Sequence, residues 1–158
     1  MPETIEYQLI LFAHVLYATF LGGLIGFERE MAKKPAGLRT HMLIGGASAL
    51  FLGLGPLISP VVEPMGVSTN TDPTRIMHSV IVGISFIGAG VIFQNDPHGK
   101  IKYLTTAASI WFTAGIGIAV GIHQYFLATA CALLVLVINR LLAGFEGRQV
   151  QRVEEQSD

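Results

Sequence analysis

Charged side chains gather in one segment of an otherwise apolar chain. Residues 26–41, GFEREMAKKPAGLRTH, hold six formal charges between two long apolar runs. Lys33 and Lys34 are typical of a turn that anchors two helices, but Arg39 lies in the first turn of the next apolar run, where an unpaired charge is costly. We expect Arg39 to pair with Glu28 or Glu30, so that these residues and His41 form a site.

A second polar pattern, DPTR, covers residues 72–75. Asp72 is a good N-cap, and a proline suits the first helical position after it. Arg75 lies one turn into an apolar run, where an unpaired charge costs about 3 kcal/mol or more. Two interpretations stay open: Asp72 is a structural cap, or it forms a functional ion pair with Arg75, with Glu63 as a second candidate partner.

Hydroxyl groups mark a third position, in YLTTAASIW at residues 103–111. Thr105, Thr106 and Ser109 can cap a helix, bond a neighbouring helix or contact a ligand. His14 stands alone in the first apolar run, and we expect it to be hydrogen-bonded to another helix. The sequence contains no Walker motif, no HExxH and no paired metal-ligand spacing, and it has one cysteine, Cys131. We therefore predict neither an enzyme nor a cofactor.

These groups must be positioned by membrane helices. Of the 158 residues, 51% are hydrophobic and 13% are charged, about half the charge of a soluble domain, roughly 25%. A net charge of −1 does not suggest nucleic acid. The apolar runs are of bilayer length, which predicts an all-α, polytopic membrane protein with five transmembrane helices at Leu9–Phe27, Leu38–Leu57, Arg75–Phe93, Leu104–Ile122 and Tyr125–Leu142. The acidic N-terminus lacks the features of a secretory signal, so we expect the first run to be retained.

The distribution of basic residues predicts an orientation. Counted from the N-terminus through the successive loops to the C-terminus, the numbers of Lys and Arg are 0, 4, 1, 2, 0 and 3. Because cytoplasmic loops are richer in these residues, we expect the N-terminus outside and the C-terminus in the cytoplasm. Residues 1–145 would form the membrane domain and residues 146–158 a short polar cytoplasmic tail, with residues 58–71 forming an exposed loop or short surface helix.

Glycines recur inside the predicted spans. Gly22 and Gly26 are four residues apart, as are Gly117 and Gly121, and the segment SFIGAG adds Ser85, Gly88 and Gly90. Small residues allow close approach of helices in lipid. This spacing predicts either helix packing within one chain or a face for a homodimer.

Several of these motifs occur in a characteristic order: GGLIGFERE, AGLRTHMLIGGASAL, DPTRI, VGISFIGAGVIF and LTTAASIWFTAGIGIAVG. Together they resemble the MgtC/SapB family of bacterial inner-membrane proteins over about residues 20–125. The resemblance implies five helices in the inner (plasma) membrane and a non-enzymatic, regulatory role in magnesium homeostasis at low magnesium or under stress. In pathogens it also implies a link to virulence.

The resemblance further implies protein partners in the lipid bilayer, among them ATP synthase. An ion or small-solute transporter or channel is the alternative. Longer members of the family add a soluble cytoplasmic domain after the last helix. By position, the family's polar residues fall on Glu28, Arg29, Glu30, Arg39, Thr40, His41, Asp72, Arg75, Thr105 and Thr106, which are the candidate ligand- or partner-binding residues.

Overall fold

The computed structural model describes residues 5–62, 64, 72–93 and 102–154. Within these residues it contains five helices and no strand, which confirms the predicted all-α class. The helices are α1 (Ile5–Met31), α2 (Leu38–Val62), α3 (Pro73–Ile92), α4 (Leu104–Gly121) and α5 (Tyr125–Glu154). Glu63 and most of the loop predicted between α2 and α3 lie outside the described residues.

The helix ends follow local chemistry. Asp72 caps α3 with its carboxylate, which accepts a hydrogen bond from the Thr74 amide at 2.9 Å, as predicted. The turns after α1 and α4 each place a non-glycine residue in the left-handed region, Lys33 at φ 54° and His123 at φ 63°. In both turns one amide reaches back five residues and the preceding amide three. This is the Schellman pattern, in which glycine is the usual residue at the left-handed position.

Helix α4 lies at the centre of the bundle. It contacts each of the other four helices, whereas α3 contacts only α2 and α4 among the described residues. Helices α1 and α5 run parallel, because His14 bonds Tyr125 near one end and Glu28 bonds Asn139 near the other. The space between those ends is filled by a compact apolar core of Ala18, Leu21, Ile25, Ala49, Ile116, Val120, Ala128, Ala132 and Val135.

Glycines let the helices approach to backbone contact. A Cβ atom built on Gly26 would lie 2.7 Å from the Cα atom of Leu38, and one on Gly117 would collide with the carbonyl oxygen of Gly45. Gly22 and Gly121 likewise face α2. For these four glycines, packing within one chain is therefore the interpretation observed, whereas a Cβ atom on Gly90 would meet nothing within 4 Å. A homodimer through these four glycines would require the α1–α2 and α2–α4 contacts to open.

The outside of the bundle is apolar, and its interior is partly polar. Large apolar side chains of α1 point outward, including Phe12, Leu16, Phe20 and Phe27. Beside the apolar core, the interior also holds polar side chains: His14, Arg29, His41, Ser48, Thr106, Ser109, Thr113 and Asn139. Monomeric soluble proteins rarely expose large continuous apolar patches to water. This apolar exterior therefore indicates that the bundle faces lipid.

Within the part of the chain that the structure describes, four helices are long and apolar enough to cross a membrane: Ile5–Met31, Leu38–Ile58, Pro73–Ile92 and Leu104–Gly121. In α5 the apolar stretch is Tyr125–Leu141, at the short end of the spanning range of about 17–25 residues. Two helices extend beyond the predicted membrane spans. Helix α2 continues past Leu57 to Val62 through Pro60, a residue type that transmembrane helices tolerate, and α5 continues to Glu154, so the described part of the predicted polar tail is helical.

Candidate functional site

The last turn of α1 carries a buried ion pair. Arg29 Nε donates to Glu28 Oε2 at 2.7 Å, and Arg29 Nη2 donates to Glu28 Oε1, also at 2.7 Å. The two side chains are only 4% and 12% exposed. This bidentate geometry is the strongest form of the arginine–carboxylate interaction. It supplies the compensation that a charge removed from water requires.

Helix α5 completes the environment of the carboxylate. Asn139 Nδ2 donates to Glu28 Oε2 at 3.0 Å, across 111 positions of the chain. Asn139 is buried, so its amide is held against α1 rather than exposed to the surroundings. We call Glu28, Arg29, His41 and Asn139 the buried polar cluster.

His41 joins this cluster from α2. Its side chain is completely buried, and its Nδ1 lies 3.0 Å from the carbonyl oxygen of Gly37. A carbonyl oxygen can only accept, so Nδ1 is the donor. Nε2 is left buried without a hydrogen-bond partner in the described part of the chain. The glycine face of α1 makes this position possible, because a Cβ atom on Gly26 would lie 3.0 Å from the Cβ atom of His41.

The turn between α1 and α2 is held by Glu30. One of its carboxylate oxygens accepts a hydrogen bond from the Leu38 amide at 2.8 Å and thereby satisfies a free N–H at the start of α2. Arg39 is exposed and forms no ion pair among the described residues. The predicted pairing of Arg39 with Glu28 or Glu30 is therefore wrong. Glu28 instead pairs with Arg29, its neighbour in sequence. Glu30 instead accepts a hydrogen bond from the backbone at the start of α2.

At the start of α3 the cap interpretation is the one observed. Asp72 and Arg75 are both exposed, and the Arg75 amide donates to the backbone carbonyl oxygen of Asp72 at 3.0 Å. No ion pair joins their side chains, and the predicted functional pair is absent. The Thr74 hydroxyl and amide, with a smaller contribution from the charge of Arg75, hold the pKa of Asp72 below its ordinary value.

The hydroxyl cluster of α4 is divided between two environments. Thr106 and Ser109 are buried and Thr105 is exposed. Ser109 donates to the carbonyl oxygen of Thr105 at 2.9 Å, one turn earlier in the same helix. Of the roles left open by the sequence, capping is not observed, because the N-cap residue of α4 is Tyr103, which makes no side-chain cap. The burial of Thr106 and Ser109 fits the packing role. Thr40 is half-buried in α2. The structure therefore brings together Glu28, Arg29 and His41, and leaves the other predicted residues apart from them.

An apolar groove of about 730 Å³ opens beside the buried polar cluster, between α1 and α5. Its walls include Leu24, Phe27, Leu133 and Val137, and Glu28 and Arg140 also line it. The described residues contain no group of three His, Cys, Asp or Glu side chains that could hold a metal ion. The ion pair of Glu28 and Arg29 thus lies at the charged end of an apolar groove, and it does not form a set of ligands around a cation.

Two features were missed by sequence reasoning. Asn139 could have been noticed, because it is a polar residue within the apolar run of the last helix. The second feature lies at the opposite end of α1 and α5. There the Tyr125 hydroxyl bonds Nε2 of His14 and lies 3.1 Å from Nδ1 of His123. The expectation that His14 bonds a neighbouring helix is confirmed, but no local pattern linked it to His123.

Comparison with known proteins gives the chain its relatives. The MgtC family matches residues 15–148. The chain is 40% identical over 129 residues to the "Putative magnesium transporter YhiD" of Escherichia coli K12, which covers 78% of this chain and 56% of that protein. It is 35% identical over 140 residues to "Protein MgtC" of Salmonella typhimurium LT2, which covers 87% of this chain and 55% of that protein.

An uncharacterized protein of Haemophilus influenzae is 39% identical over 134 residues, which is 85% of this chain and 56% of that protein. The chain thus spans about half the length of the curated relatives it matches. No solved structure shows a significant match to it. The family match covers most of the chain, and the relatives share more than a third of the aligned residues. The chain therefore belongs to the MgtC family.

Proposed function

We propose that this protein is a non-enzymatic regulator in the bacterial inner membrane. It would act on membrane-protein partners during adaptation to low magnesium or other stress, and through that role contribute to virulence in a pathogenic host. The observation that carries the proposal is the closed interior of the bundle. Between its two polar ends, helices touch at backbone distance, with Gly45 against Ala18 and Gly117 against Gly45.

The buried hydroxyls in that interior also support a role without conduction. Ser48 donates to Ile44 O at 2.8 Å, and Thr113 donates to Ser109 O at 2.8 Å, each within its own helix. A transport pathway is lined by polar groups near the middle of the membrane. Among the described residues, the charged side chains instead lie toward the ends of the apolar stretches.

The groove between α1 and α5 supplies the surface that such a regulator needs. A transmembrane helix of a partner would fill its apolar walls, and Glu28 and Arg140 would meet polar groups at the end of that helix. The named partner with the best support is ATP synthase, and that support comes from the family resemblance. A second copy of this chain would have to bind elsewhere than through Gly22, Gly26, Gly117 and Gly121.

Transport of magnesium or another ion is the second candidate. It is favoured by the buried ionised pair and by the unpartnered Nε2 atom of His41, because such groups in membrane proteins often mark ion pathways. The name of the Escherichia coli relative, "Putative magnesium transporter YhiD", also favours transport.

One pair of measurements separates the candidates. Inverted membrane vesicles with and without the protein are compared for ATP synthase activity, and liposomes containing purified protein are assayed for magnesium, proton and potassium flux. We expect a change in ATP synthase activity and no flux. Val137→Trp, which fills the groove, should abolish the effect on ATP synthase. The outward-facing Phe86→Trp on α3 is the matched control.

If ion flux depends on the protein and disappears in a folded Glu28→Gln variant, the protein is a transporter and the regulatory proposal is overturned. Unchanged ATP synthase activity together with no ion flux would show that ATP synthase is not the partner. Growth of a deletion strain in low magnesium, with and without this chain, then tests the wider physiological proposal.

A further inference from the structure

A compact group of nitrogen and oxygen donors lies at the end of the bundle opposite Glu28. Tyr125 begins α5, His14 lies in α1, and His123 lies in the turn between α4 and α5. The Tyr125 hydroxyl is 2.5 Å from His14 Nε2 and 3.1 Å from His123 Nδ1, and the two imidazole rings are 4.6 Å apart at their centroids. We call these three residues the histidine–tyrosine group.

This group is separate from the buried polar cluster. His14 and Glu28 are 14 positions apart on the same helix, which corresponds to about 21 Å at a rise of 1.5 Å per residue. The hydrogen bonds of the group join the Tyr125 hydroxyl to the two imidazoles. Their chemistry is therefore that of two imidazoles and a phenol.

A single phenol cannot satisfy both imidazoles in the same way. The hydroxyl has one proton to donate, so when it donates to one ring nitrogen, the other nitrogen must be the donor to its oxygen. Because the two ring nitrogens converge on the hydroxyl oxygen, these atoms can instead bind a single metal ion as ligands. Donor atoms around a tetrahedral ion with bonds of about 2.0–2.1 Å lie about 3.3 Å apart. The observed separations of 2.5 and 3.1 Å need only a small opening to reach this value.

The backbone of the α4–α5 turn fixes the position of the His123 ring. His123 has φ 63° at a helix end where glycine is the usual residue. The turn nevertheless carries an imidazole, and this conformation brings its ring beside His14.

We propose that the histidine–tyrosine group binds a divalent transition-metal ion such as Zn²⁺ or Cu²⁺. His14 Nε2 and His123 Nδ1 supply two ligands, the Tyr125 oxygen supplies the third, and water completes the shell. Imidazole suits Zn²⁺ and Cu²⁺, whereas Mg²⁺ prefers oxygen ligands in octahedral geometry. The site thus discriminates against Mg²⁺, and it stands independently of the proposed regulatory function.

Access to this site is open. His123 is exposed and Tyr125 is 41% exposed, whereas His14 is buried behind them. An ion would reach His123 and Tyr125 first and then be held against α1. Protons compete for both imidazoles, so the metal affinity should fall as the pH is lowered.

The test uses the full chain, purified in detergent without a histidine tag. Zn²⁺ and Mg²⁺ are titrated separately by calorimetry, and Cu²⁺ binding is followed by electron paramagnetic resonance for nitrogen coupling. We expect one Zn²⁺ per chain, no detectable Mg²⁺ at this group, and two coupled nitrogens around Cu²⁺. His14→Ala and His123→Gly should each weaken Zn²⁺ binding at least tenfold, and Tyr125→Phe should weaken it less.

His123→Gly keeps the result interpretable, because glycine favours the left-handed turn and removes only the imidazole. His78→Ala is the matched control, since His78 is an exposed histidine on α3. Unchanged Zn²⁺ affinity in His123→Gly, an equal loss in His78→Ala, or no saturable Zn²⁺ binding to the parent chain would each overturn the proposal. None of these outcomes bears on ATP synthase activity or magnesium flux.

Discussion

Arg29 is the residue on which the buried polar cluster depends. Its guanidinium is buried and its charge is balanced by the carboxylate of Glu28. Asn139 also holds that carboxylate, so the charge balance and the α1–α5 contact share one oxygen atom. The cluster is therefore both an electrostatic and a packing element.

We expect Glu28→Gln to lower the free energy of unfolding by about 3–5 kcal/mol, because it leaves a buried charge without its partner. Asn139→Ala should cost about 1.5–3 kcal/mol, the usual range for a hydrogen bond to a charged group. Thermal unfolding of the purified variants in detergent measures both effects.

Arg39→Gln is the control for this series, because Arg39 is exposed and unpaired among the described residues. Its effect should stay within about 0.5 kcal/mol. The double variant Glu28→Gln, Arg29→Met should recover part of the loss caused by Glu28→Gln alone, since it removes the stranded charge. Equal unfolding temperatures for Glu28→Gln and Arg39→Gln would contradict the buried pair.

At the scale of the helices, α1 and α2 are held together by glycine contacts. In Gly26→Ala the new Cβ atom would lie 2.7 Å from the Leu38 Cα atom and 2.8 Å from the Gly37 carbonyl oxygen. Both neighbours are backbone atoms, so the helices must move apart. We expect a loss of about 1–3 kcal/mol in unfolding free energy, the usual cost of overpacking.

Gly115→Ala provides the comparison, because a Cβ atom on Gly115 of α4 meets nothing within 4 Å. Alanine is favoured over glycine in a helix by about 0.5–1 kcal/mol, so this variant should be neutral or more stable. If Gly26→Ala behaved like Gly115→Ala in detergent unfolding, the close α1–α2 contact would be refuted.

The start of α3 should respond to acid. Hydrogen bonds from Thr74 depress the pKa of Asp72, so its carboxylate stabilises the helix start above the pKa of the unfolded chain. That contribution is lost as the pH falls through the lower, folded pKa. Amide hydrogen exchange in the first turn of α3 should therefore show faster opening at acid pH, after correction for intrinsic exchange.

Asp72→Asn tests the origin of this response, because asparagine is also a good N-cap but carries no titrating carboxyl group. Opening of the first turn in this variant should lose its acid dependence. An identical acid dependence in Asp72→Asn and the parent chain would assign the response to another group.

For the whole molecule, the charge distribution leads to a testable orientation. Basic residues are concentrated in the α1–α2 turn and near the C-terminus, so both should lie in the cytoplasm. A reporter fused after residue 158 should be active only when cytoplasmic, and one inserted after Gln124 should be active only outside. The opposite pair of activities would reverse the orientation.

Local chemistry made much of the fold predictable. Apolar runs of spanning length located all five helices, and Asp72 with Pro73 marked the start of α3, because these signals depend on residues close together in sequence. The bounds of α2 and α5 were less predictable. Pro60 would signal a helix end in a soluble protein, whereas transmembrane helices tolerate proline. The polar residues after residue 145 carry no apolar periodicity that would mark them as helix.

The sequence by itself determined that the chain is an all-helical membrane protein with its charges at the helix ends. Only the tertiary structure decided which polar groups meet. Glu28 binds its neighbour Arg29 and the distant Asn139, rather than Arg39. His14 meets Tyr125 across 111 positions. The physical reason is that periodicity indicates the faces of a helix but not its neighbours, and neighbours are selected by close contacts such as those of Gly26 and Gly117.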